Sequence, residues 1–162
     1  MRRTATIIIG SDHGGVELKD ALVEYLRARG ETVEDVGTHS PESVDYPDFG
    51  KLVAEKVSRG EASRGISLCT NGIGMSILAN KYPGVRAALV SDTTGARMSR
   101  EHLDANILIM GGGFTGKFLA REIVKVWMDT PFAGGRHQRR LDKIAAIEHE
   151  IGLSAAEATT KR

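Results

Sequence analysis

Short runs of β-branched and other apolar residues alternate along the chain with longer stretches in which apolar positions recur every three to four residues. Runs of the first kind fit strands and stretches of the second kind fit amphipathic helices. Five strand-like runs stand out, at 6–9, 32–36, 65–69, 85–89 and 106–110. Most are nearly continuous in apolar residues, as parallel strands covered on both faces must be. Between them, Val16, Leu18, Leu22, Val23 and Leu26 fall at helical spacing over 16–29, and Gly30 follows as a C-terminal stop. Residues 49–58, 73–80, 93–102 and 116–128 read as further crossover helices, the second of these kept short by Pro83.

Alternation of this kind predicts an α/β fold, a three-layer αβα sandwich around a five-stranded, doubly wound, Rossmann-like parallel sheet. A last helix over 136–151 carries Leu141, Ile144, Ile147 and Ile151 at helical spacing, yet no strand follows that needs it as a crossover. It is expected to make dimer contacts. Residues 1–151 then form one domain and 152–162 a frayed tail.

Composition narrows the function. The 162 residues fit a single core, and 41% hydrophobic with 27% charged residues is ordinary for a globular protein. Lys and Arg number 22 against 21 Asp and Glu, so no overall field draws the chain to nucleic acid or anionic lipid, and any anion site is local. No apolar run approaches the roughly 20 residues of a membrane helix. The run at 5–9 behind Met1, Arg2 and Arg3 is too short for a signal-peptide core. Cys69 is the only cysteine and has no internal disulfide partner, which favours a reducing compartment; the expectation is a cytoplasmic protein.

In a doubly wound sheet, ligands bind beyond the carboxyl ends of the strands. Here those ends read Gly10-Ser11-Asp12-His13-Gly14-Gly15, Cys69-Thr70-Asn71-Gly72-Ile73-Gly74 and Gly111-Gly112-Gly113. Cys69 closes a buried strand, and the glycines after it let backbone N–H groups converge at a helix start, an anion-binding nest. A thiolate facing that nest is stabilised by the helix dipole and can act as base or nucleophile; a buried, inert cysteine is the other reading. The first loop lacks G-x-G-x-x-G, and no acidic residue closes the second strand where a ribose needs one. No Walker loop is present either, so no nicotinamide or other cofactor is expected.

Asp12 and His13 can share proton-transfer work with a bound hydroxyl, or Asp12 can cap the following helix. His102, at a helix end, suits catalysis or a dipole-stabilised surface histidine. Arg136 and Arg140 fall on one face of the last helix beside His137, a geometry that suits phosphate, or a solvated basic turn, or a weak nucleic-acid patch. No interleaved aromatics support nucleic-acid stacking.

Taken in order and spacing, Gly10 to Gly15, Asp45-Tyr46-Pro47, Cys69 to Gly74 with Ala79-Asn80-Lys81, Ser99-Arg100-Glu101-His102 and Gly134-Gly135-Arg136-His137-Gln138 resemble the type B ribose-5-phosphate isomerases and the related galactose-6-phosphate isomerase subunits. The resemblance runs from about residue 6 to 147. It implies a metal-free isomerase, working on ribose 5-phosphate and ribulose 5-phosphate, whose cysteine shuttles a proton between C1 and C2 through a cis-enediolate in sites shared across a homodimer. On that implication Cys69 is the base, and Asp12 and His102 assist ring opening. His13, Arg136, His137 and Arg140 hold phosphate, some reaching over from the partner, and the N–H groups of Gly72 and Gly74 with the Asn71 side chain stabilise the oxyanion.

The chain departs from the family pattern in three places. Thr70-Asn71 stands where Gly-Thr is usual, Leu103 replaces an asparagine that contacts the sugar, and Gly113 replaces an arginine that contacts phosphate. A lost charge-assisted hydrogen bond costs on the order of 1.5–3 kcal/mol. Another sugar phosphate, a hexose 6-phosphate or a tetrose phosphate, is therefore an alternative substrate. A non-catalytic sugar-phosphate sensor and a flavodoxin-like nucleotide-binding domain are the alternatives from other classes. Whether dimers pair into tetramers the sequence leaves open.

Overall fold

The computed structural model describes residues 6–160, with side chains for 6–152. The arginine pair near the start and the end of the expected tail, residues 161 and 162, lie outside the described residues. Five strands and six helices follow in order: β1 (Thr6–Ser11), α1 (Val16–Ala28), β2 (Thr32–Asp35), α2 (Tyr46–Ser58), β3 (Arg64–Cys69), α3 (Ile73–Ala79), β4 (Ala87–Leu89), α4 (Thr93–Leu103), β5 (Ile107–Gly111), α5 (Lys117–Asp129) and α6 (Arg136–Thr160). All strand pairings are parallel, in the order β2-β1-β3-β5-β4.

Right-handed crossovers in this order send α1 and α4 to one face and α2 and α3 to the other. The cores confirm it. Ile7, Ile9, Ile66 and Leu68 pack with Leu22, Leu26, Ala96, Val124 and Trp127 on one face. Ile8, Ile107 and Ile109 pack with Val53, Val57, Met75 and Cys69 on the other. Successive β1 residues thus feed opposite layers, the period-two rule of a strand buried on both sides.

Several boundaries differ from the sequence reading. Helix α2 starts at Tyr46 rather than 49, because Pro47 is tolerated in a first turn, where its missing N–H leaves nothing unpaired. Strand β4 starts at Ala87 rather than 85, since the Val85 N–H donates to Tyr82 O and the Arg86 N–H to Asn106 Oδ1. Strand β2 is a polar edge strand that ends at Asp35 rather than at 36. That carboxylate is already engaged: the fully buried Lys19 donates to Oδ2 at 2.7 Å and the Gly37 N–H to Oδ1 at 2.9 Å. Helix α6 runs on to Thr160 instead of stopping at 151. Its Leu141 is buried, whereas Ile144, Ile147 and Ile151 remain exposed.

Candidate active site

Chain order reverses between β1 and β3, since β1 leads outward to β2 on one side while β3 lies on the other. A crevice therefore opens beyond their carboxyl ends. The strand tips meet there in backbone contact. The Gly112 N–H donates to Cys69 O at 2.7 Å and the Gly113 N–H to Thr70 O at 2.8 Å. A Cβ at Gly112 would lie 2.6 Å from Gly14 O, so only glycine lets the β5 tip lie this close to the β1 loop.

Cys69 closes β3 with 5% of its surface exposed. Its Sγ accepts a hydrogen bond from the Gly72 N–H at 3.1 Å, a contact that Gly72 makes from the left-handed conformation at φ 79°. The Gly72 amide, expected from the sequence to face an oxyanion, is turned toward the sulfur here. The amides of Gly74 and Met75 precede the first hydrogen bond of α3, from the Ser76 N–H to Gly72 O, and of these two residues Gly74 lines a cavity with Cys69. Asn71 Oδ1 accepts the Ile73 N–H at 2.9 Å, which leaves Nδ2 as the donor its side chain offers a ligand.

Asp12, Cys69, Thr70, Asn71 and Gly74 line one cavity of about 320 Å³. Asp12 is buried, and its Oδ1 accepts the Gly14 N–H at 2.9 Å. It folds its own loop and does not cap α1, whose N-cap is Gly15 with no side-chain bond. Tyr46 also lines this cavity, a site residue that the sequence reading quoted within Asp45-Tyr46-Pro47 without giving it a role. Its ring lies against Gly74, where a Cβ would come 2.6 Å from the ring.

A second cavity, about 380 Å³, gathers His102, Leu103, His137 and Arg140. The two imidazoles stack with centroids 4.3 Å apart and planes 10° from parallel. Burial holds the His137 pKa below its usual value, and the charges of His102, Arg136 and Arg140 add to that, against a small opposing pull from Glu101. A cluster that disfavours a further positive charge is prepared for an anion. His13 Nδ1 accepts the Val44 N–H at 3.2 Å, so its neutral ring carries the proton on Nε2. Arg136 opens α6 and is exposed. Among the described residues none lines both cavities, so within one chain the thiol and the basic cluster lie in separate cavities.

Among the described residues no group of three or more His, Cys, Asp or Glu is placed to hold a metal ion. Nor is any described helix long and apolar enough to cross a membrane.

The fold and its cysteine-bearing strand tip define a doubly wound α/β protein with a thiol-and-amide site at the topological switch point. Residues 7–144 match the family model described as Ribose/Galactose Isomerase. The chain is 44% identical over 142 residues to ribose-5-phosphate isomerase B of Escherichia coli, covering 88% of this chain and 95% of that one. It is 38% identical over 147 residues to D-erythrulose-4-phosphate isomerase of Pectobacterium atrosepticum, covering 90% and 96%. The solved structure of Clostridium thermocellum ribose-5-phosphate isomerase B superposes with a TM-score of 0.88 at 53% identity, over 90% of this chain and 99% of that one. The chain belongs to the ribose/galactose isomerase family and is an aldose–ketose isomerase.

Proposed function

We propose that the chain interconverts ribose 5-phosphate and ribulose 5-phosphate by moving one proton, with Cys69 as the base. The observation that carries this reading is the enclosure of Cys69 Sγ in one cavity with Asp12, Asn71 and Gly74, the sulfur facing the Gly72 N–H. Cys69 takes the proton from C2 of the open-chain aldose, and the C–H electron pair passes to the carbonyl at C1, giving a cis-enediolate. Returning the proton to C1, with the hydroxyl proton moving from O2 to O1, yields the ketose. The Gly74 amide and Asn71 Nδ2 supply the donors that make such a carbon acid.

Asp12 and His102 assist opening of the sugar ring. His13, His137, Arg136 and Arg140 hold the phosphate remotely, which fixes a short substrate so that the base meets one carbon. Because the two halves are separate cavities in one chain, the complete site is assembled in a homodimer, the basic half of one subunit facing the thiol half of the other. The exposed Ile144, Ile147 and Ile151 on α6 suit that contact.

A second reading, a six-carbon or four-carbon sugar phosphate, is favoured by Leu103 in the wall of the basic cavity and by the bare Gly113 at the β5 tip. Initial rates on ribose 5-phosphate, galactose 6-phosphate and erythrose 4-phosphate in heavy water decide. Ribose 5-phosphate turning over fastest, with deuterium entering at C1 of the ketose, supports the first reading. A faster rate on either other sugar replaces the substrate, and absence of turnover on all three removes the reading.

A further inference from the structure

Thr70 stands where the three strand-tip loops meet. A Cβ placed on Gly14 would overlap Thr70 Oγ1, and one placed on Gly113 would lie 3.2 Å from Thr70 Cγ2. The two branches of this side chain thus fill the spaces that glycine leaves on either side, the hydroxyl beside the Asp12-His13-Gly14 turn and the methyl beside the β5 tip. Thr70 is itself exposed and lines the cavity with Asp12, Cys69 and Asn71. Its backbone is held, because Thr70 O accepts the Gly113 N–H at 2.8 Å. Its side chain is stiff, because a β-branched residue has few accessible χ1 rotamers.

We propose that Thr70 is a specificity-determining residue, a fixed wall wedged between Gly14 and Gly113 that limits how long a sugar phosphate the cavity accepts. The inference rests on the isomerase reading above and goes further by naming the side chain that measures the substrate. A wall anchored through both backbone and rotamer does not retreat for an additional CHOH unit, so a longer sugar binds only by displacing it. Removing the two γ atoms opens space at the junction without touching Cys69 or the donors around it.

The test compares kcat/KM for galactose 6-phosphate and ribose 5-phosphate in the parent, Thr70→Ala, Thr70→Ser and Thr70→Val, with thermal melting as the check on folding. One carbon unit in a fitted pocket is worth roughly 10–200-fold in kcat/KM. The parent is expected to prefer the five-carbon sugar. Thr70→Ala is expected to raise the six-to-five-carbon ratio threefold or more, and Thr70→Val, which keeps both branches, to stay within threefold of the parent. Should the alanine variant fail to fold, Thr70→Ser, which deletes only the methyl, carries the same expectation as alanine. An alanine and a serine ratio both within threefold of the parent, a valine ratio that moves as far as alanine, or a parent that prefers the six-carbon sugar each overturns the inference while isomerase activity stands. A parent inactive on both sugars removes the underlying reading and this one with it.

Discussion

The Gly72 N–H donates to Cys69 Sγ across 3.1 Å, from the first residue past the loop that closes β3. The residue after the loop and the residue before it are thereby locked together, and the nest is built around the sulfur as much as around a ligand.

Gly72→Ala is expected to break this lock. A Cβ there would come 2.6 Å from Leu89 Cδ1 and 3.1 Å from the Met110 carbonyl carbon, on a backbone at φ 79° that L side chains rarely adopt. Strain of this kind costs about 1–3 kcal/mol. Melting should move down accordingly, and alkylation of Cys69 by iodoacetamide at pH 7 should slow as the thiolate loses its donor. Unchanged alkylation would show that the amide does not act on sulfur.

Cys69→Ser preserves shape at a buried position and replaces the thiol with a far weaker base. Turnover is expected to fall by about 10²–10⁴-fold, the usual contribution of general base catalysis. KM and the melting temperature should stay near those of the parent. A serine variant with most of the parent kcat would remove the base assignment.

Burial disfavours the charged form of His137, and protonation also sets a charge against His102, Arg136 and Arg140, so its pKa is depressed. A folded-state pKa below the unfolded value means that the unfolded chain binds more protons on acidification. The stability tied to this residue is therefore complete above the ordinary histidine pKa of about 6.5 and is lost as pH falls through that region. Melting temperatures should drop between pH 7 and 5, and His137→Gln should flatten the drop. Added inorganic phosphate should restore part of it in the parent, since the anion offsets the added charge.

Arg140→Ala removes a guanidinium from the basic cavity. The loss of one charge-assisted hydrogen bond predicts a KM roughly ten- to a hundredfold higher with little change in kcat. A fall in kcat at constant KM would move Arg140 from phosphate holding to the chemical step.

Complementation tests the shared site. Cys69→Ala and His102→Asn chains are each expected to be nearly inactive alone. Mixed dimers carry one site with both halves intact, so co-refolding equal amounts should recover about a quarter of the parent activity. No recovery would mean that both halves serve within one chain.

Strands were legible in the sequence where a run had to be apolar on both faces, as in residues 64–69 and 107–111. One was misjudged where hydrogen bonding overrode composition, since Val85 is apolar but bonds into a turn. Cys69, Asp12, Asn71 and Gly74 were found because their loops follow strands that the pattern locates, and loops after parallel strands converge. Which amide faces the sulfur depends on the sign of one dihedral at Gly72, and residue order does not encode that directly. The separation of His102 and His137 from Cys69 depends on where α4 and α6 dock, a tertiary property. Tyr46 was hidden by the misplaced start of α2, since a residue read as loop gave no reason to aim its ring at Gly74.

The sheet order carries a consequence for how the chain comes together during synthesis. Strand β4 pairs with β5 alone, and β5 is the last strand to emerge although it sits between β3 and β4. A ribosome that has released residues up to 106 holds a three-stranded half-sheet and an orphan strand with no neighbour to join. Insertion of β5 must close the gap, seat Gly112 against Cys69 O and complete the pocket in one late event. Nascent chains should therefore acquire protease resistance and a shielded thiol together, and only after Gly113 has cleared the exit tunnel.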